Sequence, residues 1–136
     1  MAASPSAIVD TNVVIRYLVR DVPEQFTEIE PWFEAVRTGK EKALLLESVL
    51  VESIYILTKY YKVPKTETAE TLTNLLHYKG IVNDDKDALG AALTLFAESG
   101  LDPVDCLVLA RAKQDGLRMV TFDKALKRLA TTGEGK

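Results

Sequence analysis

The sequence predicts an α/β protein with a mostly parallel sheet, and three observations lead to this fold class. Short apolar runs of strand length alternate along the chain with longer segments of helical periodicity. Strands that alternate with helices in this way are joined by right-handed crossovers into a parallel sheet. The length of 136 residues, 47% of them hydrophobic and 27% charged, fits one folded domain spanning residues 1–136.

The amino-terminal part of the chain predicts one strand and two helices. Residues 7–9 are apolar and end at Asp10, which fits a buried strand with a polar residue at its carboxyl end. Residues 12–19 predict a short helix or turn. Pro23 begins a second helix, which ends near Arg37 because a Thr-Gly-Lys break follows.

The middle of the chain predicts two strands and three helices. Residues 43–46 are an apolar run of strand length, and residues 48–60 follow as a helix. After a proline, residues 65–78 predict the next helix, which carries several leucines. Residues 80–82 predict a third strand, and residues 84–99 predict a helix with an Asp-rich start.

The last third predicts a helix, a strand and a closing helix. Pro103 at the first helical position, with an Asp before it as N-cap, predicts a helix that ends at Gly116. A strand at 117–121 and a helix at 124–129 follow, and residues 131–136 predict a frayed tail.

Composition and charge exclude several classes of protein. The net charge of −3 argues against a protein held to nucleic acid by bulk positive charge, although residues 111–136 carry a net charge of +4. The apolar runs are too short to cross a bilayer, and the amino terminus lacks a signal-peptide pattern. Cys106 is the only cysteine in the sequence, so no intramolecular disulfide can form. A cytoplasmic location without membrane contact is expected.

Four carboxylates are predicted to meet at one edge of the sheet. Asp10 follows the first strand and Asp123 follows the last, while Glu52 and Asp105 lie in the first turns of helices that begin at that edge. Crowded carboxylates repel one another, and a divalent cation relieves the repulsion. Oxygen ligands without His or Cys favour Mg²⁺, for which Mn²⁺ can substitute.

Each of these acids also has an ordinary structural explanation. An Asp that ends a strand is often a turn or cap residue, and Asp105 in a first helical turn favours the helix dipole. Glu52 can be a solvated surface residue. The explanation weakens for the set as a whole, because four such residues fall at the same predicted edge.

Four blocks in order along nearly the whole chain resemble PIN-domain proteins. They are Ile8-Val9-Asp10-Thr11-Asn12-Val13-Val14, then residues 49–57, then residues 105–112, and last Val120-Thr121-Phe122-Asp123. A stand-alone domain of this length is most similar to the VapC toxins of toxin–antitoxin pairs.

The resemblance implies a three-layer α/β/α sandwich around a mostly parallel sheet of four or five strands. It also implies a metal-dependent endoribonuclease that hydrolyses phosphodiester bonds with metal-activated water. The family's four catalytic acids match Asp10, Glu52, Asp105 and Asp123 in that order. Among them, Asp10 and Asp105 are expected as direct metal ligands, and Glu52 and Asp123 as ligands directly or through water.

The resemblance also implies supporting residues and partners. Asn12 and Thr121 match polar residues beside the first and fourth acids. An acidic site that binds RNA needs basic groups at its rim, for which the candidates are Arg16, Arg111, Lys124 and Lys127. The expected partners are an RNA substrate, a small antitoxin protein and a second copy of the chain in a homodimer.

Some alternatives remain open at this point. Asp102 competes with Asp105 for the third acid position, and Glu47 competes with Glu52 for the second. A stand-alone PIN nuclease in RNA processing, or a non-catalytic module that binds RNA or protein, would also fit the fold. A haloacid-dehalogenase-like phosphatase fits poorly, because that class needs Asp-x-Asp where this chain has Asp10-Thr11-Asn12.

Overall fold

The computed structural model describes residues 4–131. Helices dominate this range, and the strands are short. In chain order the elements are β1 (Ala7–Ile8), α1 (Thr11–Val19), α2 (Pro23–Thr38), β2 (Ala43–Leu44), α3 (Glu47–Tyr55) with a π-helical turn (Ile56–Tyr60), α4 (Lys65–Leu76), α5 (Lys86–Glu98), α6 (Pro103–Gln114) and α7 (Lys124–Thr131).

The strands form a parallel sheet, as the sequence predicts. Ala7 of β1 lies opposite Ala43 of β2, and Ile8 lies opposite Leu44. The predicted strand at 80–82 is reduced to a single parallel bridge between Ala43 and Ile81. The α/β class with a parallel sheet is therefore confirmed, although the described sheet is smaller than the four or five strands expected.

The predicted strand at 117–121 does not form in the described part of the chain. The start of this segment is held against α6, because the Leu117 N–H donates to the Ala112 carbonyl at 2.8 Å. Its far end runs into α7, which packs against α6. Both ends of the segment are therefore held by α6 and α7. Among the described residues, no sheet covers the apolar side chains between these two ends. Val120 is 81% exposed and Phe122 is 101% exposed.

The helices follow the predicted order with shifted ends. The predicted helix 48–60 changes at Ile56 to π-type hydrogen bonding, in which the Tyr61 N–H donates to the Ile56 carbonyl at 3.1 Å. Gly116 has a left-handed φ of 64° and follows α6, as predicted. Thr131, placed in the predicted tail, is the last residue of α7, and residues 132–136 lie outside the described residues.

The core is built from the inward faces of helices packed around the small sheet. Phe33 and Val36 on α2 are buried, and the Tyr17 ring of α1 stacks on Phe33 with centroids 3.9 Å apart. Cys106 of α6 is buried in the core, and burial raises the pKa of its thiol. None of the helices among residues 4–131 combines the length and apolar character that a membrane crossing requires.

Candidate functional site

Asp10 lies where β1 ends and serves as the N-cap of α1. Its carboxylate accepts a hydrogen bond from the Asn12 backbone N–H at 3.2 Å, and its side chain is exposed. An Asp in this position satisfies a helix N–H that has no partner within the helix. The predicted supporting residue Asn12 thus holds Asp10 through its backbone.

Thr11 links the first acidic segment to α3. Its side chain is buried, and its hydroxyl donates to Glu52 Oε1 at 2.6 Å. Glu52 itself is exposed on α3. The structure therefore joins Glu52 to the residue that directly follows Asp10. Sequence reasoning missed this role, although a hydroxyl directly after the first acid was a visible signal.

The start of α6 places Asp102 and Asp105 beside α3. Asp105 lies half-buried in the first turn. Asp102 occupies the predicted N-cap position, but its side chain makes no cap hydrogen bond. It accepts instead from the Tyr55 hydroxyl at 2.7 Å. The hydrogen bond to Asp102, then burial and the charges of Asp102 and Asp105, raise the pKa of Tyr55 to about 12.

Glu47, the alternative to Glu52, is engaged in an ion-pair network. One guanidinium nitrogen of Arg111 lies 3.0 Å from Glu47 Oε1 and 2.9 Å from Asp85 Oδ2. Asp85 also accepts from Asn83, whose amide bonds both backbone groups of Leu45 where β2 ends. The network joins the sheet to α3 and α6. Glu47 thus has a cationic partner already, whereas the partner that the described residues give Glu52 is a neutral hydroxyl.

Two predicted rim cations have protein partners. Arg111 forms ion pairs with Glu47 and Asp85. Arg16 donates to Asp21 Oδ1 at 3.2 Å and to the Tyr61 hydroxyl at 3.3 Å. Lys124 and Lys127 are exposed on α7. The role of all four residues in RNA binding stays a prediction.

Replacing Arg111 by Met is expected to lower the free energy of unfolding by about 1 kcal/mol, because two partly exposed carboxylates lose their counter-charge. Urea unfolding at low and high salt measures the effect, which should shrink as salt screens the charges. The exposed Arg118 replaced by Met is the control. A variant of unchanged stability with a raised KM for RNA would instead assign Arg111 to the rim.

Asp123 makes local hydrogen bonds at the start of α7. Its N–H donates to Thr121 Oγ1 at 3.0 Å, and its carboxylate accepts from the Leu126 N–H at 3.0 Å. Thr121 therefore contacts Asp123, and the roles of both residues stay a prediction. Because no strand forms at 117–121, however, Asp123 does not lie at the end of a strand, which corrects that part of the expectation.

The acids do not converge into a ready metal site. Between Ser4 and Thr131, no three side chains of His, Cys, Asp or Glu lie together as a group that could hold a metal ion. Glu52 is bound by Thr11, which follows Asp10 in sequence, and Asp105 lies in the first turn of α6. The described side chains therefore offer a metal ion fewer than three protein ligands in any one place.

A groove of about 900 Å³ runs between α3 and α6 and is bordered by the segment after α6. Its walls are mainly apolar and include Val51 of α3 with Val104 and Val108 of α6. Glu52 and Tyr55 also line it, so one of the candidate acids opens into this groove. A groove of this kind can take an extended ligand that has both apolar and cationic groups.

Comparison with known proteins supports the resemblance to PIN-domain proteins. A family model described as PIN domain matches residues 7–131. The chain is similar to a VapC ribonuclease of Aquifex aeolicus (strain VF5), with 27% identity over 123 residues, or 90% of each chain. No solved structure matches the chain. The family match covers nearly the whole chain, and the chain therefore belongs to the PIN domain family.

Proposed function

We propose that this protein is an endoribonuclease of the VapC type. The observation that carries the proposal is its similarity to a VapC ribonuclease over 90% of both chains. The hydrogen bond from Thr11 to Glu52 supports it, because it joins the segments that carry the first two candidate acids. The substrate would be RNA, and the bond cleaved would be a phosphodiester. The products of attack by water would carry 5′-phosphate and 3′-hydroxyl ends.

The catalytic residues of this proposal are Asp10, Glu52, Asp105 and Asp123. In the described residues Asp10 is fixed by the Asn12 N–H, and Glu52 by the Thr11 hydroxyl. Mg²⁺ is the proposed cofactor, with Mn²⁺ as a substitute, because the acids offer only oxygen ligands. The described residues do not bring three of these acids together, so the metal requirement has to be tested by RNA cleavage with and without EDTA.

The partners follow from the groove and the charge distribution. We propose that RNA approaches over the basic carboxyl-terminal part of the chain, where Lys124 and Lys127 are exposed. A small antitoxin protein would occupy the groove between α3 and α6 with apolar and cationic side chains that complement its walls and Glu52. A toxin role, a homodimer and a cytoplasmic location belong to the same proposal.

RNA cleavage by the purified protein tests this function. Total RNA is incubated with the protein in Mg²⁺, in Mn²⁺ and with EDTA, and the product ends are identified. We expect cleavage with either cation, none with EDTA, and 5′-phosphate ends. Cleavage that persists in EDTA would overturn the metal requirement, and 2′,3′-cyclic phosphate ends would overturn the attack by water.

A second candidate function is a non-catalytic module that binds RNA or protein. The observation that favours it is that the described residues do not gather a three-ligand metal group. RNA binding by folded protein without cleavage of any RNA in the mixture would support this candidate. A salt-dependent dissociation constant would then report contacts to phosphates.

A further inference from the structure

Tyr55 joins the two helices that carry candidate acids. It lies on α3, and its hydroxyl donates to Asp102 Oδ2 of the α6 start at 2.7 Å. This bond takes the place of the expected side-chain cap on α6, since the Asp102 side chain makes no cap hydrogen bond. The contact therefore connects α3 to α6 at the cost of a local bond within α6.

The spacing of the residues on each helix gives this contact a functional meaning. Glu52 and Tyr55 are three residues apart on α3, and Asp102 and Asp105 are three apart at the start of α6. Residues three apart on a helix share a face, so Glu52 and Tyr55 lie on one face of α3. Asp102 is the N-cap of α6 and Asp105 lies in its first turn, so a bond that holds Asp102 also holds the turn that carries Asp105. The Tyr55–Asp102 hydrogen bond thus fixes the position of the α3 face that carries Glu52 relative to the α6 turn that carries Asp105.

The surroundings of Tyr55 favour a fixed ring over a mobile surface residue. It borders the groove between α3 and α6 on one side. On the other it borders a second cavity of about 390 Å³, which Asp102 also lines. Tyr55 therefore lies between the two spaces, and its hydrogen-bond partner Asp102 lines the smaller one. Loss of the hydroxyl would free the start of α6 to move relative to α3.

We propose that Tyr55 is a positioning residue, which holds Asp102 and thereby sets the place of Asp105 relative to Glu52. The proposal rests on the proposed nuclease function for its effect on catalysis. It also decides between the two candidates for the third acid. Asp102 is the acceptor that anchors the turn, and Asp105 is the residue left to act on the substrate.

A spectroscopic titration tests the contact independently of nuclease activity. Tyrosinate absorbance is followed as the pH rises for the wild-type protein and for the Tyr55→Phe and Asp102→Asn variants. We expect Tyr55→Phe to remove a phenol that ionises at high pH, and Asp102→Asn to move that ionisation toward the ordinary pKa of about 10. A Tyr55 that titrates near its ordinary pKa in the wild-type protein would overturn the inference.

Cleavage kinetics test the consequence for Asp105. We expect Tyr55→Phe and Asp102→Asn each to lower kcat about tenfold, because small misplacements of reacting groups are costly, with KM within about twofold. The Tyr55→Phe/Asp102→Asn double variant should be no slower than either single variant. Tyr60→Phe is the matched control, since Tyr60 is 75% exposed.

The outcomes separate this inference from the proposed function. If the wild-type protein cleaves RNA and Tyr55→Phe behaves like Tyr60→Phe, the positioning role is wrong. Effects of the two single variants that multiply in the double variant would also overturn it. If the wild-type protein cleaves no RNA, the proposed function fails, and the positioning of Asp105 for catalysis fails with it. The titration alone then decides whether the contact exists.

Discussion

Replacing Asp105 by Asn is expected to lower the rate of RNA cleavage at least about 100-fold, as loss of a group that acts directly on the reaction does. Asn has nearly the same size and cannot carry a negative charge. Asp105 is half-buried in the first turn of α6, so the substitution tests charge at that position with little change in packing. Initial rates on a defined RNA measure the effect.

The matched control for this variant lies at the other end of the same helix. Asp115 is the exposed C-cap residue of α6, and Asp115→Asn makes the same chemical change away from the groove. Its cleavage rate should equal that of the wild-type protein. If Asp105→Asn cleaved RNA as fast as Asp115→Asn, Asp105 would be removed from the proposed site.

Replacing Gly80 by Ala is expected to lower the free energy of unfolding by at least about 3 kcal/mol, as severe overpacking against fixed groups does. A Cβ atom at Gly80 would overlap the Glu41 carbonyl oxygen and lie 2.6 Å from the Val36 carbonyl oxygen. Both atoms belong to the backbone and cannot rotate away. Gly80 also bonds Val36 and Ala43 through its own backbone, at 2.7 Å each.

Gly90→Ala is the control for that prediction. Gly90 lies inside α5, and a Cβ atom there would meet nothing within 4 Å. The substitution should raise the free energy of unfolding by about 0.5–1 kcal/mol, because Ala favours a helix over Gly. Urea unfolding compares the two variants. Equal stability of Gly80→Ala and the wild-type protein would contradict the close backbone packing around the sheet.

The helices could be predicted well because local signals fix them. The apolar spacing that buries Phe33 and Val36, the proline that begins α6 and the left-handed glycine after it all act within a few residues. The prediction of a strand at 117–121 was wrong, because local signals alone do not decide whether a strand forms. Its apolar pattern is typical of a strand, but a strand also needs a partner, and pairing depends on distant parts of the chain.

The candidate site shows the same division between local and distant information. Asp10 as the residue after the first strand could be predicted, because it depends on one local pattern. The hydroxyl of Thr11, directly after Asp10, is visible in the sequence, but its partner Glu52 could not be predicted because it lies far away along the chain. The partners of Glu47 and Asp102 were also beyond sequence reasoning, since Arg111 and Tyr55 reach them from other helices.

The most direct test of the central claim compares RNA cleavage by the wild-type protein and the Asp10→Asn/Asp105→Asn double variant. Asn caps a helix as well as Asp does, so α1 should keep its start while the site loses two negative charges. We predict cleavage by the wild-type protein, stopped by EDTA, and none by the equally folded double variant. Cleavage by the double variant at the wild-type rate would contradict the assignment of nuclease activity to these acids.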